Sequence, residues 1–408
     1  MTSRERIMKA CNFQETDRVP IDIGGSQVTG ICVDMYCNLL KNLGISETPT
    51  VYEQFEMLAR ISEPVRQRLH GDVISLENPI MSWGLRNENQ KKWQTFKGNE
   101  CYMPGSFNPI SDEKGDLWLY SPEGKALAHM AKGSPYFDFA DSTQMSETIE
   151  FKDPKEWREQ IYLYTDEDLR KIESDAKFLH ENTDYAVIGE FAVIRFGSMN
   201  RFISGLSPTD WLCALITDPD YISEVIEVCC ERSLENAKLY LEAVGKNVDI
   251  ILMSTTDFGS QRAEVFSPDI WRDLYMSRYR RINDFIHENT DDVKTFIHTC
   301  GSICNLIPHI IDAGFDILNP IQTSADGMDA EWLKKEFGGK ITFWGGGVDT
   351  QHVLPKGTPE EVRAQVKERI DVFAKGGGYV FNPIHCIQHD VPAENLLAAA
   401  DAAFEHRR

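Results

Sequence analysis

Eight short apolar runs, each separated from the next by helical or turn-rich sequence, constrain this chain more than any other feature. They are Val19–Ile23, Val73–Leu76, Ala186–Gly189, Ile250–Ser254, Thr295–His298, Phe315–Leu318, Ile341–Trp344 and Tyr379–Phe381. Several are continuously apolar rather than alternating, the pattern of parallel strands covered on both faces. Helix candidates lie between them at Pro219–Val244, Ser267–Asn289, Cys304–Ala313 and Pro359–Ala374. Ser267-Pro268 and Thr358-Pro359 each set an N-cap residue before a proline suited to the first helical turn. Eight strands alternating with helices predict the α/β class and a closed (β/α)8 TIM barrel. A doubly wound open sheet is the rival topology.

Single α/β barrels often exceed the usual domain size, so 408 residues are read as one domain spanning 1–408. The stretch from about 84 to 180, between the second and third strands, is too long for a plain βα connection. It holds a hairpin-like patch, Leu117-Trp118-Leu119-Tyr120 before Ser121-Pro122-Glu123-Gly124, and then an acidic helical segment. It is read as an elaboration over one end of the barrel, in the manner of a lid.

A net charge of −22 argues against nucleic acid and anionic membrane as partners, since both need clustered Lys and Arg. No apolar stretch is long enough to span a bilayer, and the charged N-terminus lacks the apolar core of a signal peptide. Ten cysteines without regular spacing read as reduced thiols in a cytoplasmic protein. Cys213, Cys229 and Cys230, inside helical patterns, are expected to be small buried side chains. A homodimer is left open.

Working residues of α/β barrels lie at the C-terminal ends of the strands. There the chain carries Asp22, Glu190 and Arg195, Asp257, His298-Thr299-Cys300, Asn319-Pro320-Ile321-Gln322, Trp344 through Asp349, and Asn382 through Asp390. The strongest constellation is His298-x-Cys300 together with His385-Cys386. Strand residues i and i+2 share a face, so His298 and Cys300 can meet one ion. Mixed imidazole and thiolate suits Zn²⁺, and three protein ligands leave a fourth position open. The plainer reading makes His298 a hydrogen-bonded barrel residue and the cysteines buried fillers. Asp257 and Asp349 are candidates for base, metal ligand or substrate clamp, or for helix caps. Arg195 suits a substrate carboxylate or an ion pair. Trp344 suits a pocket wall or aromatic core, and Gln388 faces substrate. Gly345-Gly346-Gly347 lacks a P-loop's Lys-Ser/Thr and reads as a tight turn.

These residues resemble the uroporphyrinogen-decarboxylase superfamily. The matching stretches are Phe296–Ser302, Ala313–Pro320, Phe343–Asp349 and Asp390–Leu396, with Thr16–Asp22 near the start. The resemblance implies a (β/α)8 barrel and one of two activities. The decarboxylases use an Arg-rich N-terminal segment and an Asp after the second strand. Here no such run follows Val19-Pro20, the second strand continues Ser75-Leu76-Glu77-Asn78-Pro79, and the family tyrosine falls about Arg201-Phe202. Porphyrinogen decarboxylation is therefore not expected.

The other branch comprises zinc-dependent, cobamide-linked methyltransferases, which hold zinc with a His-x-Cys pair and a later Cys. His298 and Cys300 match the pair. Counted back from Val391-Pro392, the later cysteine falls on His385, with Cys386 one residue on, so either completes the site. The resemblance thus implies Zn²⁺ and a corrinoid (cobalamin) carried by a partner corrinoid protein, because the chain has no Asp-x-His-x-x-Gly cobalamin motif. It also implies a small-molecule methyl donor or acceptor positioned by Asp257 or Asp349, with Glu190 as a polar wall. The alternative is a metal-free or metal-assisted decarboxylase or other lyase for a small carboxylated substrate, with His385 and Asp257 as acid and base.

Overall fold

The computed structural model describes residues 1–140, 151–159, 161–190 and 206–406. Seven parallel strands stand side by side in chain order: Val73–Leu76, Ala186–Gly189, Ile250–Ser254, Lys294–His298, Ile317–Asn319, Thr342–Trp344 and Tyr379–Val380. The first predicted strand is reduced to one parallel bridge, Ile21 with Phe381, yet it joins both edges of the sheet. On one side the Phe381 N–H donates to Pro20 O at 2.8 Å and the Asp22 N–H to Phe381 O at 2.9 Å. On the other, the Asp72 N–H donates to Ile21 O at 2.7 Å. The barrel is thereby closed. The ladder stays short because Pro20 has no N–H and the N–H of Ile21 is taken by the Asp72 carboxylate.

Pleat alternation sorts the strand residues. Val73, Ala186, Ile188, Ile250, Leu252, Phe296, Ile317, Trp344 and Val380 fill the barrel interior together with Ile7, Ala10 and Cys11 of the helix Ser3–Cys11. That helix, started by a Thr2/Glu5 capping box, plugs the end where the strands begin. Outward-facing Val187, Ile251, Ile297, Leu318 and Phe343 pack under the helices. Two residues beyond the interior layer the chemistry changes. Val73 is succeeded by Ser75, Ile188 by Glu190, Phe296 by His298, Ile317 by Asn319 and Val380 by Asn382. Polar groups therefore collect at the mouth.

Fully buried Asp72 fastens the opposite end. It accepts from Arg18 at 2.7 and 2.8 Å, Arg6 at 2.8 Å, Ser3 Oγ at 2.7 Å and the Ile21 N–H at 2.9 Å. This ties Thr16–Asp22 to the second strand.

The helix Pro219–Val244 has the predicted bounds. Ser267–Asn289 is a helix Pro268–Trp271, a π turn Arg272–Met276 and a helix Ser277–Glu288. The helices Ile307–Asp312 and Pro359–Phe373 are slightly shorter than predicted, and Ser267 and Thr358 cap as expected. Among the described residues, the elaboration between the second and third predicted strands holds a hairpin, Lys91–Gln94 with Glu100–Met103, a four-stranded antiparallel sheet from Ile110–Ser111 to Asp138–Phe139, and a short helix Pro154–Arg158. Leu117–Tyr120 and Ala126–Met130 form the expected hairpin. The acidic helix Asp166–Asn182 stands apart from these strands. It packs on Val73–Leu76 and Ala186–Gly189 as their ordinary crossover helix.

All ten cysteines are free, with Cys229 and Cys230 buried. Cys213 is exposed, contrary to expectation. Its helix Pro208–Thr217 buries Trp211, Ala214 and Leu215, a stripe at i, i+3 and i+4 that turns Cys213 outward. Among the described residues no helix is long and apolar enough to cross a membrane.

Candidate metal centre at the barrel mouth

His298 ends its strand and is nearly buried, and the chain leaves the sheet at Thr299. Nε2 of His298 lies 3.3 Å from Cys300 Sγ. His385, on the loop after the last strand, brings its ring to 6.2 Å from that of His298, close to perpendicular. One ligand atom from each of His298, Cys300 and His385 falls within 4.8 Å of the others. A second group meeting the same limit is Glu56, His385 and Cys386. His385 belongs to both. Cys386 does not join His298 and Cys300 in such a group among the described residues.

Several contacts hold Cys300 in place. Its backbone N–H donates to Asp257 Oδ1 at 2.8 Å, and the N–H of Gly301 donates to Gln322 Oε1 at 2.7 Å. The loop bearing Asp257 presses against Gly301, where φ is +96° and an added Cβ would lie 2.4 Å from the backbone of Gly259. Only glycine fits that approach. Asp257 Oδ1 is also 3.9 Å from His298 Nε2.

Burial pushes the Cys300 and Cys386 thiols well above their ordinary range, and negative charge on Asp257 and Glu56 adds to the effect at Cys300. Burial lowers the His298 imidazole, against the pull of Asp257. Both thiols are thus neutral by themselves, and a divalent cation would bind by displacing their protons. Imidazole and sulfur from two separated strand ends, aimed at one point beside carboxylates, form a donor set that fits zinc.

A cavity of about 370 Å³ opens beside His385 and Cys386. Its walls include Phe55, Glu56, Tyr136, Gln322 and Gln388. Gln388, predicted to face substrate, does line this space and donates to Glu56 Oε2 at 3.4 Å. Tyr136 comes from the elaboration, which also touches the mouth through Lys97 Nζ donating to the His389 carbonyl at 2.9 Å.

Other predicted residues are placed differently. Asp349 sits at the rim, with Oδ1 accepting the N–H groups of Gln351 and His352 at 2.6 and 3.0 Å, so its carboxylate caps a turn. Trp344 is wholly buried beneath the site, and its Nε1–H donates to Asp22 Oδ2 at 2.9 Å, which makes it floor rather than wall. Glu190 is buried with Oε1 accepting the Gln27 N–H at 2.7 Å. Arg195 and the Arg201-Phe202 position lie outside the described residues.

The model of the family described as uroporphyrinogen decarboxylase (URO-D) matches residues 199–406, just over half of the chain. The protein belongs to the URO-D family. Over 181 residues it is 25% identical to a uroporphyrinogen decarboxylase of Pseudoalteromonas atlantica, a match covering 41% of this chain and 48% of that protein. Over 191 residues it is 22% identical to the methylcobamide:CoM methyltransferase MtaA of Methanosarcina barkeri, covering 47% and 51%. The chain thus spans about half the length of the curated relatives it matches. Its fold follows a solved methyltransferase from Methanosarcina mazei with a TM-score of 0.58 at 16% identity, covering 99% of both chains.

Within this URO-D barrel, sequence reasoning overlooked Glu56 and gave Asn319 no role. Glu56 lies on an N-terminal turn far in sequence from the other groups. Buried Glu53 shapes that turn by accepting the N–H groups of Phe55 and Glu56 at 3.0 and 2.8 Å. No spacing links the turn to the later strands. Asn319 had a signal, since it occupies the inward-facing end of the strand beside His298.

Proposed function

We propose that this URO-D family protein is a zinc-dependent methyltransferase that moves a methyl group between a corrinoid protein and a small substrate. The observation that carries this reading is the convergence of His298, Cys300 and His385 within 4.8 Å beside a substrate-sized cavity. Similarity to the M. barkeri methyltransferase over half its length supports it.

In this reading His298, Cys300 and His385 would hold the ion, with Cys386 and Glu56 beside His385. A bound zinc would supply Lewis acidity, lowering the pKa of a substrate thiol or polarising a methoxy or amine donor. Asp257 fixes the Cys300 backbone. Gln388 and Glu56 present polar atoms to a substrate in the cavity, while Phe55 and Tyr136 give it apolar cover from water. A corrinoid delivered by a partner protein to the barrel mouth would supply the cobalt centre that donates or accepts the methyl group. The free cysteines fit a cytoplasmic setting.

A lyase acting on a small carboxylated substrate is the second reading, favoured by the match to a decarboxylase. Elemental analysis of purified protein, combined with demethylation of methylcob(III)alamin across a panel of thiols, separates the two. Stoichiometric zinc and methyl transfer to a thiol are expected. Metal-free protein that releases CO2 from a small acid would replace this reading with the lyase.

A further inference from the structure

Parallel register sets His298 beside Asn319 at the mouth. His298 Nδ1 lies 2.6 Å from Asn319 Oδ1, and Asn319 Nδ2 lies 2.9 Å from the carbonyl oxygen of Trp344. A backbone carbonyl can only accept, so the amide atom facing Trp344 must be the NH2 group. Flipping the amide would set oxygen against oxygen in a buried site. Trp344 cannot move aside to relieve that clash, because it is fully buried and anchored to Asp22 through Nε1. The atom facing His298 is therefore an acceptor, and the imidazole nitrogen beside it must carry the proton. In a neutral imidazole this leaves the lone pair on Nε2, the nitrogen 3.3 Å from Cys300 Sγ.

We propose that Asn319 is a positioning residue that locks His298 in the Nδ1–H tautomer and thereby presents Nε2 as the ligand to a cation shared with Cys300. The inference rests on the metal reading above for its purpose, but the tautomer itself is set by the protein alone. Partners of this kind orient metal-binding histidines and raise their basicity.

The test compares Asn319→Leu with Asn319→Asp. Both lose the donor to the Trp344 carbonyl, and Asp also sets an oxygen against it, so a purely structural role would harm the Asp variant at least as much as the Leu variant. Only Asp keeps an acceptor for the Nδ1 proton. Zinc affinity, measured by chelator competition, is expected to fall roughly 10- to 100-fold in the Leu variant and to stay near wild type in the Asp variant. Equal losses in the two, or no loss in either, would overturn the proposal. Nitrogen-15 NMR of His298 in metal-free wild-type protein gives a readout that needs neither variant to fold. An Nδ1–H signal supports the proposal, and an Nε2–H signal refutes it. Should wild-type protein bind no zinc while showing the Nδ1–H form, the metal reading fails and the tautomer assignment stands.

Discussion

Asp257 Oδ1 accepts the backbone N–H of Cys300 at 2.8 Å and stands 3.9 Å from Nε2 of His298. One carboxylate thus touches the support of one candidate ligand and the field of another. Removing it frees the Cys300 loop and withdraws negative charge from the centre. Asp257→Ala is expected to weaken zinc binding about 10- to 100-fold with little change in thermal stability, as read by chelator competition and by melting. Unchanged affinity would dismiss this role for Asp257.

The proposed zinc site has two neighbouring candidates for its third ligand. His385 groups with His298 and Cys300, while Cys386 groups with Glu56 and His385. Cys300→Ala and His385→Ala should therefore both purify without zinc. Cys386→Ala should retain most of it. Metal analysis of the three proteins decides the matter, and a zinc-free Cys386→Ala beside a zinc-loaded His385→Ala would reverse the assignment.

Glu190 gives a pH-dependent stability prediction. Burial first, and repulsion from Glu77 next, push its carboxyl up to about 8. Between the ordinary glutamate value and about 8, the folded protein holds a proton that the unfolded chain has released. Stability therefore falls as pH rises through that window, by at most about 1.4 kcal/mol per unit. Glu190→Gln keeps an acceptor for the Gln27 N–H and removes the penalty. Urea unfolding should show the variant more stable than wild type at pH 8 and equal to it near pH 4. A difference independent of pH would mean that Glu190 is not held neutral by its site.

Asp72 anchors the N-terminal segment through two guanidinium groups that are themselves largely covered. Asp72→Ala leaves both without their buried partner and strips the Ile21 N–H of its acceptor. A loss of about 3–5 kcal/mol is expected in urea unfolding. A loss below 1 kcal/mol would show that Arg6 and Arg18 find water or other partners instead.

Apolar runs and their period carried most of the fold in readable form, because a strand covered on both faces must be apolar throughout. The same period put His298 and Cys300 on one side of the chain, and the metal candidate followed from residue chemistry alone. Asp349 and Trp344 could not be sorted in this way. A carboxylate after a strand looks the same whether it meets substrate or caps a turn, and only the donors around Asp349 show that it does the second.

The barrel, the end of it that carries polar groups, and the residue types able to bind a cation were all legible along the chain, since local periodicity and side-chain chemistry belong to the chain before it folds. Only the folded chain shows that His385 meets His298 and Cys300, that Glu56 reaches His385 and Cys386 from a turn hundreds of residues earlier, and that Asn319 faces the other nitrogen of His298. Those choices depend on how far apart strand ends lie once the sheet has closed, and no spacing along the chain encodes a distance across a barrel mouth.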